Sequence, residues 1–238
     1  MSKLLLVAGA RPNFMKIAPL VRAARSFDGI ETVLIHTGQH FDRNMSDVFF
    51  EELGIPTPDH HLGAQSGSHA VQTARIMELF EPVLLAEAPD WVVVVGDVNS
   101  TLACALVAKK LQFAVAHVEA GLRSGDISMP EEVNRKCVDA ISDLLLVSEP
   151  SGVENLAKEN VPEKAVHLVG NLMVDTLLFQ KNKLDESSCR SPLAKALGLA
   201  GNDYAVVTLH RPATVDSEEV FTAVLKGLEA IARHMPVV

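Results

Sequence analysis

Trp91-Val92-Val93-Val94-Val95-Gly96-Asp97 decides the fold. Four consecutive β-branched residues without polar alternation suit a strand covered on both faces, not one with a wet side. A glycine and an acid stop the run, and a helical pattern opens near Ser100. Strand, polar turn and helix make the repeating unit of a parallel α/β sheet. The same unit recurs in both directions along the chain. Strands are predicted at residues 3–8, 32–36, 91–96, 114–118, 144–147 and 166–169, with helices at 14–26, 70–86, 100–111, 131–141 and 150–159 between them. Residues 1–169 are therefore expected to form a Rossmann-like parallel-sheet domain. After Gly170 the pattern restarts with a helix at 171–181, a polar surface connection at 183–190, a strand at 205–209 and a helix at 217–233. Met235-Pro236-Val237-Val238 reads as the opening of another strand. Residues 170–238 are expected to be the first part of a second, incomplete Rossmann-like domain.

Bulk properties narrow the function. The chain has 238 residues, 48% of them hydrophobic, and a formal net charge of −9. That charge excludes a broad nucleic-acid surface, although a local basic cluster can still hold a phosphate. Cys104, Cys137 and Cys189 are scattered and form no CxxC pair, which fits reduced thiols in a cytoplasmic protein. No apolar run approaches the roughly 20 residues of a membrane span. The first apolar stretch, from Lys3, reads as a strand and not as a signal sequence. The histidines show no metal-ligand spacing, so no metal site is expected.

In an open α/β sheet, ligands bind outside the carboxyl ends of the strands, and the polar residues collect there. Gly9-Ala10-Arg11-Pro12 follows the first strand, with Lys16 one turn into the helix. Free N–H groups, the helix dipole and two cations make an anion site, though a solvated first turn explains Arg11 as well. Neither GxGxxG nor GxxxxGK is present. Gly38-Gln39-His40 ends the second strand and reads more simply as a turn before a capping Asp42. Asp97 either caps the following helix or faces the crevice with a free carboxylate. His117-Val118-Glu119-Ala120-Gly121-Leu122-Arg123 and Pro130-Glu131-Glu132-Val133-Asn134-Arg135 gather acids and guanidinium groups around one loop. Glu131 and Arg135 stand at i and i+4, the spacing of a helix-surface ion pair. Acids beside an apolar strand end can also be tuned for proton transfer. His210, in His210-Arg211-Pro212, ends the strand of the second domain and can carry a proton near neutral pH.

Taken together and in order, these segments resemble the non-hydrolysing UDP-N-acetylglucosamine 2-epimerase family. The likeness also includes Lys16-Ile17-Ala18-Pro19-Leu20, Ser100-Thr101, Gly170-Asn171 and Asp175, and so runs over essentially the whole chain. The resemblance implies a GT-B-like pair of Rossmann-like domains with a nucleotide sugar between them, no cofactor, and a homodimer. It implies catalytic roles for Asp97, Glu119, Glu131 and His210, and substrate binding by Arg11, Lys16 and Arg135. The implied reaction interconverts UDP-GlcNAc and UDP-ManNAc for polysaccharide biosynthesis.

Those residue types suit that chemistry. The sugar C2 proton is not beside a ketone, so enolisation is closed. Elimination of UDP across C1–C2 avoids the difficulty, with a carboxylate taking the proton while cations hold the departing diphosphate. Re-addition with protonation from the opposite face calls for more than one proton carrier. The loop between Gly121 and Pro130 is shorter than in the best-known bacterial members, which leaves the exact UDP-sugar open. Phe41 and Asp42 follow His40 where members activated by a second UDP-GlcNAc carry other polar groups, so that regulation is not carried over. The alternatives are a hydrolysing epimerase, a GT-B glycosyltransferase, or an inactive truncated fragment.

Overall fold

The computed structural model describes residues 1–38, 50–186, 192–199, 201, 203–210 and 212–238. Among these residues, seven parallel strands form one sheet: β1 (Ser2–Ala8), β2 (Ile30–His36), β3 (His60–His61), β4 (Trp91–Val95), β5 (Ala114–Ala120), β6 (Leu144–Val147) and β7 (Val166–Leu168). Their order is β3-β2-β1-β4-β5-β6-β7. The chain moves outward from β1 to β3, then returns to lay β4 on the other side of β1. The junction of β1 and β4 is therefore the topological switch point, where a crevice opens.

The helices are α1 (Arg11–Ala24), α2 (His69–Glu87), α3 (Asn99–Lys110), α4 (Pro130–Ile141), α5 (Pro150–Lys158), α6 (Leu172–Glu186), α7 (Pro192–Ala196), α8 (Pro212–Val215) and α9 (Glu218–Ala232). The valine run of β4 serves both faces of the sheet. Val92 and Val94 pack with Leu5, Val7 and Val115 against Ile76, Phe80 and Leu84 of α2 and Ala103 to Ala108 of α3. Val93 and Val95 pack with Leu6, Ala8, Ala116 and Val118 against Phe14, Ile17 and Val21 of α1.

Several expected boundaries move for local reasons. Helix α1 opens at Arg11, because Pro12 suits a first turn and Asn13 bonds the amides before it (below). Strand β5 continues to Ala120 through an irregularity between Val118 and Ala120. Strand β3 is two polar residues long and leaves no periodic signal. Of the polar connection at 183–190, residues through Glu186 are helical and 187–190 lie outside the described residues. The chain forms two compact units, Met1–Gln180 and Lys181–Val238. In the second unit the expected strand at 205–209 is reduced to one parallel bridge, Ala205 with Val237. The Ala205 amide donates to Pro236 O at 2.9 Å and the Val207 amide to Val238 O at 2.8 Å. The terminal Val237 and Val238 thus pair as a strand opening would.

Candidate active site at the switch point

The crevice begins with close packing. A Cβ on Gly9 would lie 2.2 Å from Ser100 Oγ, so only glycine lets the start of α3 approach the end of β1 this closely. Asn13 Oδ1 accepts from the Ala10 amide at 2.9 Å and its Nδ2 donates to Val95 O at 2.9 Å. One side chain thus anchors the start of α1 to the end of β4. Lys16 follows one turn later, only 9% exposed. Its Nζ lies 2.6 Å from Glu119 Oε2.

Glu119 reaches Lys16 because β5 breaks its own alternation. His117 and Glu119 would share the α3 face of a regular strand, whereas α1 and Lys16 lie on the other. Glu119 is instead a bulge residue, with φ of 72°. A left-handed backbone costs a non-glycine residue about 1–2 kcal/mol. Strain of this kind persists where the surroundings over-determine it and collects at functional sites.

Asp97 is not a cap. The N-cap of α3 is Val98, without a side-chain bond. The Asp97 carboxylate instead takes Arg135 Nη2 at 2.5 Å, while Asn134 Nδ2 donates to its carbonyl at 2.7 Å. Arg135 Nη1 donates to Glu132 Oε2 at 3.0 Å. Glu132, 1% exposed, also accepts the Ser124 amide at 2.9 Å and the Ser124 hydroxyl at 3.0 Å. Burial works to raise its carboxyl, but these donors outweigh burial and bring it down to about 2.

The i,i+4 ion pair that the spacing of Glu131 and Arg135 allows does not form, because the guanidinium is committed to Asp97 and Glu132. Glu131 is half-buried in the first turn of α4 and has no partner among the described residues. Glu132, Arg135 and Asp139 share one face at i, i+3 and i+7, a spacing legible in the sequence.

Arg123 binds structure rather than open crevice. It pairs with Glu159 through Nε at 2.9 Å and Nη2 at 2.6 Å, and with Asp139 at 2.8 Å. Asp139 also accepts the Gly121 amide at 3.0 Å and pairs with His117 Nδ1 at 2.6 Å. Sequence reasoning gave no role to Asn13, Glu132, Asp139 or His117.

Arg11 is placed as the residue that opens α1. Gln39, His40 and Asp42 lie outside the described residues, as does Arg211. His210 belongs to the second unit, where it is exposed. Among the described residues no group of three or more His, Cys, Asp or Glu is arranged to hold a metal ion.

The arrangement is an anion-ready crevice in which carboxylates and cations meet at adjacent strand ends, with one further acid that has no partner among the described residues. Comparisons with known proteins agree on its kind. The family model described as UDP-N-acetylglucosamine 2-epimerase matches residues 22–238. The UDP-N-acetylglucosamine 2-epimerase of Methanocaldococcus jannaschii is 42% identical over 226 residues, which are 95% of this chain and 61% of that protein. The UDP-2,3-diacetamido-2,3-dideoxy-D-glucuronate 2-epimerase of Pseudomonas aeruginosa is 41% identical over 232 residues, 96% of this chain and 63% of that one. Among solved structures, the M. jannaschii UDP-GlcNAc 2-epimerase in complex with UDP-GlcNAc and UDP superposes with a TM-score of 0.84 at 40% identity. That match covers 99% of this chain and 64% of the other. The chain thus spans less than two thirds of the length of these relatives. With the family model matched from within α1 to the last residue, the chain belongs to the UDP-N-acetylglucosamine 2-epimerase family.

Proposed function

We propose that this chain carries the acid–base part of a UDP-sugar 2-epimerase. The observation that supports this most directly is the two cation–carboxylate contacts, Lys16–Glu119 and Arg135–Asp97, at the ends of neighbouring strands β5 and β4. In this reading a carboxylate among Asp97, Glu119 and Glu131 removes the C2 proton. The C2–H electron pair forms the C1–C2 double bond as the C1–O bond breaks, and UDP departs with the C1–O electron pair. Arg11, Lys16 and Arg135 carry the charge growing on the diphosphate. UDP then adds back to C1 while a second proton carrier, His210 or another of the acids, protonates C2 from the opposite face. No redox step is needed, so the reaction requires no nicotinamide.

The two relatives above act on different sugars at nearly equal identity, so UDP-GlcNAc and the diacetamido-glucuronate are both candidate substrates. The same reading includes a cytoplasmic homodimer serving polysaccharide synthesis, whose mass light scattering would report. Proton NMR in D₂O with either UDP-sugar tests the reaction. Deuterium at C2 with the C2 epimer accumulating is the expected result. Free 2-epimerised sugar plus UDP would indicate hydrolysis, and no exchange with either sugar would refute activity of this chain.

A further inference from the structure

His117 takes no part in the proton transfers above, yet it joins the backbones that carry them. Its ring is fully buried. Nε2 lies 2.8 Å from the Gly96 carbonyl oxygen and Nδ1 2.6 Å from Asp139 Oδ1. A carbonyl only accepts, and so does an ionised carboxylate, so both ring nitrogens donate. Burial opposes ionisation of Asp139, but bonds from His117, Arg123 and the Gly121 amide hold its carboxyl below the usual range. A continuous bridge therefore runs from Gly96 through His117 and Asp139 to Gly121. It starts one residue before Asp97 and ends two residues beyond Glu119.

Both spanned backbones are contorted, with φ of 70° at Gly96 and 72° at Glu119. An apolar side chain would fill a strand interior without the desolvation that a buried charge network carries, and such replacements are often neutral or stabilising. A benefit in geometry explains why the network stands here.

We propose that His117 is a positioning residue that clamps the ends of β4 and β5 together and so fixes the Asp97 carboxylate relative to that of Glu119. The proposal rests on the epimerase reading for its consequence in rate. A misplacement of about 1 Å can cost about 100-fold in turnover.

Two substitutions cut the two arms of the bridge separately. An asparagine amide reaches roughly the position of Nδ1 and a glutamine amide that of Nε2. His117→Asn keeps the bond to Asp139 and loses that to Gly96, and His117→Gln does the reverse. Each is expected to lower kcat by about 10- to 100-fold, with KM for UDP-GlcNAc changed by no more than about twofold. Val115→Ala removes a buried neighbour on the same face of β5, outside the bridge. It is expected to lower thermal stability at least as much and to leave kcat within about twofold. If the His117 variants lose no more kcat than Val115→Ala, each assayed equally far below its unfolding transition, the clamp is refuted.

Amide spectra give a reading independent of turnover. His117→Asn should shift the Gly96 and Asp97 signals, and His117→Gln those of Gly121 and Arg123. Shifts confined to residues 116–118 in both variants would also overturn the proposal. A wild-type chain without C2 exchange would defeat the epimerase reading of this chain alone, and the spectra would still decide the clamp.

Discussion

Gly121→Ala should be among the costliest methyl additions in the molecule. Gly121 has φ of 80°, and an added Cβ would stand 2.5 Å from Gly152 O, 2.8 Å from Gly152 C and 2.9 Å from Gly152 Cα. Those neighbours are all backbone, so no side-chain end can swing away. The left-handed conformation costs an alanine about 1–2 kcal/mol. Forcing the start of α5 off the end of β5 costs about 1–3 kcal/mol more, as overpacking does elsewhere. The stiffer unfolded chain returns about 0.4–1 kcal/mol. The net loss is about 3 kcal/mol, or roughly 6–12 °C in Tm for a unit of this size. Gly125→Ala is the control. It has φ of 76° but nothing within 4 Å of the added Cβ, so it bears the backbone term alone, about 1 kcal/mol. Urea denaturation of both variants compares them directly. If Gly121→Ala is no less stable than Gly125→Ala, the contact with Gly152 is not rigid and does not anchor the end of β5 that carries Glu119. Because the Gly121 amide is also an arm of the Asp139 bridge, C2 exchange should fall further than stability alone accounts for.

Two further predictions concern pH. The carboxyl of Glu132 is brought from an unfolded value near 4.5 down to about 2, so its contribution is full above the unfolded value and disappears as pH falls through about 2. Glu132→Gln should therefore destabilise the protein at pH 6, with the gap to wild type closing between about pH 4.5 and 2 in acid-titrated melts. A gap independent of pH would contradict the assigned donors. His36 acts in the same direction over a higher pH window. Burial first, and the neighbouring His61 second, push its imidazole down to about 4, and its Nε2 has no partner among the described residues. Between its ordinary value of about 6.5 and 4 the unfolded chain holds a proton that the folded one lacks, so stability drains as pH falls through that window. His36→Phe, stacked on Phe14 as the imidazole is, should flatten that slope, and denaturation at pH 7.5, 5.5 and 4.5 would show it. An unchanged slope would mean that His36 is not the group responsible.

The sequence carried the frame of the site further than its detail. Strand β4 was legible because unbroken β-branched residues ending at Gly-Asp have few other uses, and everything that follows from two-faced burial came with it. Strand β3 was not legible, since His60 and His61 join the sheet through backbone bonds beside β2 and have no pattern of their own. Glu119 was correctly put at a strand end, yet its reach to Lys16 depends on a bulge, and one extra residue leaves no mark on a period of two. The adjacent acids Glu131 and Glu132 show a different limit. Successive residues on a helix point about 100° apart, and which one turns inward depends on how α4 docks against α3. Docking sends Glu132 inward to hold Arg135 and Ser124, and leaves Glu131 without a cation among the described residues. The two acids can then divide the labour, one setting the guanidinium against Asp97 and the other left open to a proton. Removing Glu132 should thus disturb Arg135 and Asp97 together, whereas Glu131→Gln should leave that framework intact and affect proton transfer alone.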